Sequence, residues 1–179
     1  MGADKAFLDF DGRTLLERTL ELARSVTDAV RIVGGREKFA PFAPVVEDVF
    51  SGHGPLGGIH AALRSSNSDL NLMIAVDAPF VSRALLQYLI LEAHHAPEAT
   101  AVVPCCNGHR QPLCAIYRRE FAEVAEKALI AGKNRIDVLF DVVKSRVIDE
   151  EELERAGFSA DLFCNLNTPE DVEEKRKRA

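Results

Sequence analysis

The apolar run Leu72-Met73-Ile74-Ala75-Val76 leads straight into Asp77, with Pro79 two residues on. A run without alternation suits a strand buried on both faces of a parallel sheet, at the centre of the fold. Ligands of open α/β sheets collect just past the carboxyl ends of such strands, so Asp77 is placed to meet a metal ion or a phosphate. The plainer account is a turn aspartate ahead of a helix that starts near Ser82, since Asp and Pro are ordinary turn residues. A second feature is Gly52-His53-Gly54-Pro55-Leu56-Gly57-Gly58. Its glycines let backbone N–H groups approach a ligand, and the helix that follows turns its N-terminus toward an anion or a polar base edge. Neither GxxxxGK[ST] nor GxGxxG spacing is present, so a purely structural role stands beside the binding one. Arg110 and Gln111 sit in a polar loop where they could read a ligand. Arg135 opens a helix and is a candidate for a phosphate-bearing substrate. Asn165 and Asn167 share one face if their segment is extended.

The remaining chemistry-bearing residues exclude more than they suggest. Cys105, Cys106, Cys114 and Cys164 form no CxxC pair, which argues against a zinc knuckle or a disulfide framework and for reduced thiols in or near the core. No histidine or cysteine stands at metal spacing from His53 or His60, and the adjacent His94 and His95 point about 100° apart on a helix. Lys and Arg number 22 against 28 for Asp and Glu, a net charge of -6, which excludes a general nucleic-acid surface. No window approaches the roughly 18 apolar residues of a membrane span, and no signal-peptide pattern opens the chain. A cytoplasmic protein without membrane partners is expected. At 179 residues, one domain spanning 1–179 is expected, with no linker.

The elements that must position these residues can be read in order. Asp11-Gly12 marks a tight turn, and Thr14 with Glu17 forms a capping box for a helix whose leucines recur at spacings of three and four. Strands are expected at Ala29–Val33, Val45–Val46, Thr100–Pro104 and Ser145–Ile148. Helices are expected from Leu85 to His95, from Phe121 to Ala131 with Gly132 as C-cap, and from Lys133 through Val143. Alternating strands and helices imply a layered α/β fold with a mainly parallel sheet and right-handed crossovers.

Several of these segments carry a resemblance. Gly2-Ala3-Asp4-Lys5-Ala6, Gly12, Leu15-Leu16, Glu47-Asp48, Gly54-Pro55-Leu56-Gly57-Gly58-Ile59, Asp77-Ala78-Pro79-Phe80, Gln111-Pro112-Leu113 and Asn165-Leu166-Asn167-Thr168-Pro169-Glu170-Asp171 resemble, in order, the motifs of the molybdenum cofactor guanylyltransferases (MobA type). The resemblance covers nearly the whole chain. It implies a Rossmann-like nucleotidyltransferase fold and transfer of GMP from GTP to molybdopterin-bound molybdenum cofactor, with release of pyrophosphate and a requirement for Mg2+. It also implies dealings with partner proteins of molybdenum cofactor biosynthesis.

Carried over by position, Lys5 looks like the lysine that holds the nucleotide phosphates, and Asp48 like a nucleotide-contacting aspartate. Asp77 resembles the aspartate that binds magnesium and nucleotide. The segment with Gly54, Pro55, Leu56 and Gly57, running to Gly58, resembles the loop closing around guanine. Asn165 and Asn167 resemble paired asparagines near the metal and the pterin, and Arg135 is similar to a basic residue on the pterin side. The family's first strand and its LAGGxSxR segment have no counterpart here, since the chain starts at the Met-Gly of that motif. On that reading an unpaired edge beside the Ala75 strand is expected, with weak GTP binding and association through the edge. The alternatives are a molybdopterin cytidylyltransferase, a sugar-nucleotide type of nucleotidyltransferase, or a non-catalytic nucleotide- or partner-binding relative.

Overall fold

A computed structural model describes residues 5–50 and 52–164. From a 3-10 turn at Lys5–Phe7 the chain enters a hairpin of β1 (Asp9–Phe10) and β2 (Arg13–Thr14). Asp11 and Gly12 close it with φ of 55° and 78°, the left-handed pair that a two-residue hairpin turn demands. Helix α1 (Leu15–Arg24) starts as the sequence predicts: the Glu17 N–H donates to Thr14 Oγ1 at 3.2 Å, and the Thr14 N–H donates to the Glu17 carboxylate at 2.8 Å. The Thr14 N–H and the Thr14 hydroxyl, which donates to the same carboxylate at 2.9 Å, stabilise its ionised form, so the Glu17 pKa lies below its ordinary value.

Strand β3 (Ile32–Val33) pairs in parallel with β4 (Val45–Val46), with the short α2 (Arg36–Phe39) between them. Only the last two residues of the expected Ala29–Val33 strand are paired, because Ile32 is the first residue there to bond with the β4 side, through Pro44. Next come α3 (Gly54–Ser65), β5 (Leu70–Ile74), α4 (Arg83–His95), β6 (Ala101–Cys106), β7 (His109–Arg110), β8 (Cys114–Arg118), α5 (Phe121–Ile130), β9 (Ser145–Ile148) and α6 (Glu150–Arg155). The Lys133–Val143 helix is instead a 3-10 turn, Ile136–Asp141.

The main sheet runs β5-β8-β6-β7, with β9 beside β6. Its faces separate cleanly by residue parity. Ala101, Val103, Ala115 and Tyr117 pack against Leu56, Ile59 and Leu63 of α3 and Phe121, Ala125 and Leu129 of α5. Val102, Cys106, Cys114 and Ile116 pack on the other side against Leu85, Leu86 and Leu89 of α4 and Leu153 of α6. The three α4 leucines are 0% exposed, and burying each contributes about 2 kcal/mol.

Two expectations need correction. The β6–β9 ladder is parallel, but β5–β8, β6–β8 and β6–β7 are antiparallel, so this sheet is mixed rather than mainly parallel. Strand β5 is not central either: it stands at the end of the described strand order, and its residues are only part-buried. An unbroken apolar run reports helices over both faces and carries no information about the direction of its neighbours. The bonds from Arg119 N–H to Asp69 O and from Ala75 N–H to Leu113 O fix which groups of β5 face β8. By the alternation of an antiparallel ladder, the N–H and C=O of Leu70, Leu72 and Ile74 point the other way, where none of the described strands pairs with them.

Candidate active site

Strand β5 delivers Asp77 three residues beyond its last paired residue, on a part-buried segment. The Lys5 Nζ donates to Asp77 Oδ2 at 3.4 Å, joining residues 72 apart in sequence. The lysine side chain is 45% exposed and the aspartate 20%, so the pair is open enough to exchange partners with an incoming ligand. Among the described residues Lys5 is the group that meets the Asp77 carboxylate. The turn holding Lys5 is fixed by Ala6, buried with Leu16 and Leu20 of α1 in a cluster that also takes in Ile32 and Val76. Helix α1 thus ties the amine to the strand that ends in the carboxylate.

Asp48 follows β4 in the same way. Its Oδ1 accepts the Phe50 N–H at 2.8 Å, a turn that bends its carboxylate over α3. A Cβ built on Gly57 would lie 2.6 Å from Asp48 Oδ2 and 3.0 Å from the Phe50 carbonyl oxygen. Gly57 is therefore the residue that lets the aspartate seat against the helix. The glycine segment itself is not an open loop: Gly54 to Gly58 are the first residues of α3, with Pro55 in the first turn. Leu56 is 0% exposed and lies in the core beside Ile59, so only its backbone can meet a ligand. Gly54 has φ of 63° and open space around it. A 12-residue helix with its N-terminus at a carboxylate-bearing turn is suited to holding phosphate oxygens through N–H groups.

Arg135 is brought toward this end of the molecule through its neighbour. The Nδ1 of His53, the residue before α3, lies 2.7 Å from Asn134 Oδ1. Sequence reasoning did not pair these two, because 81 residues separate them and neither belongs to a recognised motif. Arg110 is committed elsewhere: it donates to the Asp137 carbonyl at 2.8 Å, pairs with Asp141 at 2.5 Å and lies over the Phe140 ring. The Gln111 side chain donates to the His109 carbonyl. Asn165 and Asn167 lie outside the described residues.

Positive charge does gather beside the Asp77 segment. Arg13, Arg18 and Arg83 line a cleft of about 330 Å³ together with Ala78 and Pro79. Arg13 and Arg18 stand on β2 and the adjoining α1 and Arg83 on α4, and Glu21 of the same cleft pairs with Arg13. The thiols of Cys106 and Cys114 are pushed up by burial to about 11 and about 12, so neither supplies a thiolate near neutral pH. Among the described residues no three His, Cys, Asp or Glu side chains gather as a metal cluster, and no helix is long and apolar enough to cross a membrane.

Residues 1–147 match the MobA-like NTP transferase domain. A molybdenum cofactor guanylyltransferase of Desulfosudis oleivorans is 33% identical over 176 residues, covering 96% of this chain and 85% of that protein. The crystal structure of molybdopterin-guanine dinucleotide biosynthesis protein A from Archaeoglobus fulgidus superposes with a TM-score of 0.82 at 27% identity, covering 99% of this chain and 91% of that one. At 20% identity and a TM-score of 0.70, the 2-C-methyl-D-erythritol 4-phosphate cytidylyltransferase of Thermus thermophilus shares the nucleotidyltransferase fold, covering 100% of both chains.

Proposed function

Because the chain belongs to the MobA-like NTP transferase family and is a nucleotidyltransferase, we propose that it transfers GMP from GTP to the terminal phosphate of molybdopterin-bound molybdenum cofactor. The observation that carries this reading is the Lys5–Asp77 pair at the end of β5. In the reaction a phosphate oxygen of the acceptor attacks the α-phosphorus of GTP. The bond from that phosphorus to the β-phosphate bridge oxygen breaks, and pyrophosphate leaves with the electron pair. No side-chain nucleophile is required, so the protein's task is positioning and charge neutralisation.

Each residue then has a part. Lys5 offsets charge building on the leaving pyrophosphate, and Asp48 with the first turn of α3 orients the nucleotide. Arg135, Asn165 and Asn167 are assigned to the pterin side by resemblance. Mg2+ would rest on Asp77, whose part-exposed carboxylate, with no ligand cluster beside it among the described residues, suits an ion that takes one or two carboxylates and fills its shell with phosphates and water. Held there, the ion would supply charge neutralisation for the phosphates.

The test is pyrophosphate release from GTP, CTP, ATP and UTP, with and without Mg2+ and with the molybdopterin acceptor. GTP with Mg2+ and acceptor should exceed every other triphosphate by at least about tenfold. Preference for CTP would reassign the enzyme to the cytidylyl side, and no release with any triphosphate would defeat the reading.

A further inference from the structure

His60, on α3 one turn past Gly57, is 4% exposed, and neither Nδ1 nor Nε2 has a hydrogen-bond partner among the described residues. Its ring meets that of Phe50 at 5.1 Å between centroids with an interplanar angle of 76°. Phe50 is the residue whose N–H holds Asp48 Oδ1, and whose carbonyl oxygen crowds Gly57.

We infer that His60 is a positioning residue for the nucleotide site: its imidazole braces Phe50, and Phe50 in turn holds the Asp48 carboxylate over the first turn of α3. The inference rests on the nucleotide role proposed for Asp48. Apolar filling alone does not account for an imidazole here, since a leucine or phenylalanine would occupy the space between α3 and α5 without burying two unsatisfied nitrogens. What an imidazole adds is titration.

The groups that face it come from three elements. Glu126 of α5 places Oε1 4.0 Å from Nε2, while Arg64, further along α3, pairs with the same glutamate at 3.2 Å. Asp48 and His53 stand on the Phe50 side. Burial, the largest influence, and Arg64 hold His60 neutral, below its ordinary pKa of 6.5, against the pull of Glu126 and Asp48. Acidification turns Nε2 into a charged donor whose partner is Glu126, which draws the ring off Phe50. The brace is engaged at neutral pH and released in acid.

The experiment compares the wild-type chain with His60→Ala and His60→Phe, measuring kcat and KM for GTP from about pH 5.5 to about pH 8.5, and hydrogen exchange at the Phe50 amide. His60→Ala should raise KM about fivefold with kcat within about twofold of wild type, and should speed Phe50 exchange. His60→Phe should keep the neutral-pH KM and abolish the part of the KM rise that the wild type shows below about pH 6.5. The inference is overturned if His60→Ala leaves both KM and Phe50 exchange unchanged, if kcat falls at constant KM, or if His60→Phe behaves like His60→Ala. A wild-type chain inactive with every triphosphate defeats the proposed function instead, and Phe50 exchange in the two variants then decides the brace alone.

Discussion

A 3.4 Å contact between Lys5 and Asp77 brings a cation and an anion to the same point from opposite ends of a 72-residue separation. As an exposed ion pair it adds little to stability, on the order of 0 to 1 kcal/mol, so its value lies in what each charge does once a ligand arrives. Lys5→Ala should therefore leave the melting temperature nearly unchanged and weaken GTP binding by about tenfold in a titration; an unchanged affinity would remove the lysine from the site. Gly57→Ala tests the neighbouring seat. The new methyl would lie 2.6 Å from the Asp48 carboxylate and 3.0 Å from a backbone oxygen, and α3 is anchored on its far side by Leu56 and Ile59. The aspartate must move. KM for the triphosphate should rise at least about tenfold with the helix content intact by circular dichroism; a wild-type KM would show that Asp48 has no bearing on the nucleotide.

Among the elements, α1 carries the amine's turn and β5 the carboxylate, so the stability of α1 matters to the site. Thr14→Ala removes the side-chain half of the capping box and should cost about 1 kcal/mol, read as a fall of about 2–4 °C in melting temperature. No change would mean that the cap is frayed in solution. This box was legible in the sequence because it is written in residues three apart, and the same holds for the Asp11-Gly12 turn and the Gly132 cap with φ of 70°. The Asn107-Gly108 turn, with φ of 52° and 72°, is an equally local signal for the β6–β7 hairpin. Parity within β6 and β8 is not visible in advance, since both faces are covered and every position up to Tyr117 is apolar. The antiparallel partner of β5 depends on contacts 40 to 48 residues distant, for which no local pattern exists. The site divides along the same line. Asp77 stands out at the end of its run, whereas the brace from His60 through Phe50 to Asp48 and the His53–Asn134 bond are tertiary facts.

For the whole molecule, the side of β5 that no described strand covers is the feature with the widest consequence. Leu70, Leu72 and Ile74 present unpaired N–H and C=O groups among the described residues, on a strand whose side chains are part-buried and, Asn71 apart, apolar. Such an edge is a template for another strand. The chain should self-associate with rising concentration in analytical ultracentrifugation, and Leu72→Lys should shift the equilibrium toward monomer. A wild-type chain that stays monomeric at all concentrations would show the edge to be covered in solution.

The role of Asp77 is decided by the Asp77→Ala variant, assayed for Mg2+-dependent pyrophosphate release from GTP beside a measurement of its melting curve. A loss of at least about a hundredfold in rate with a wild-type melting temperature is expected, because the carboxylate serves the reaction and its one polar contact among the described residues is an exposed lysine. A variant that releases pyrophosphate at near wild-type rate would contradict that role.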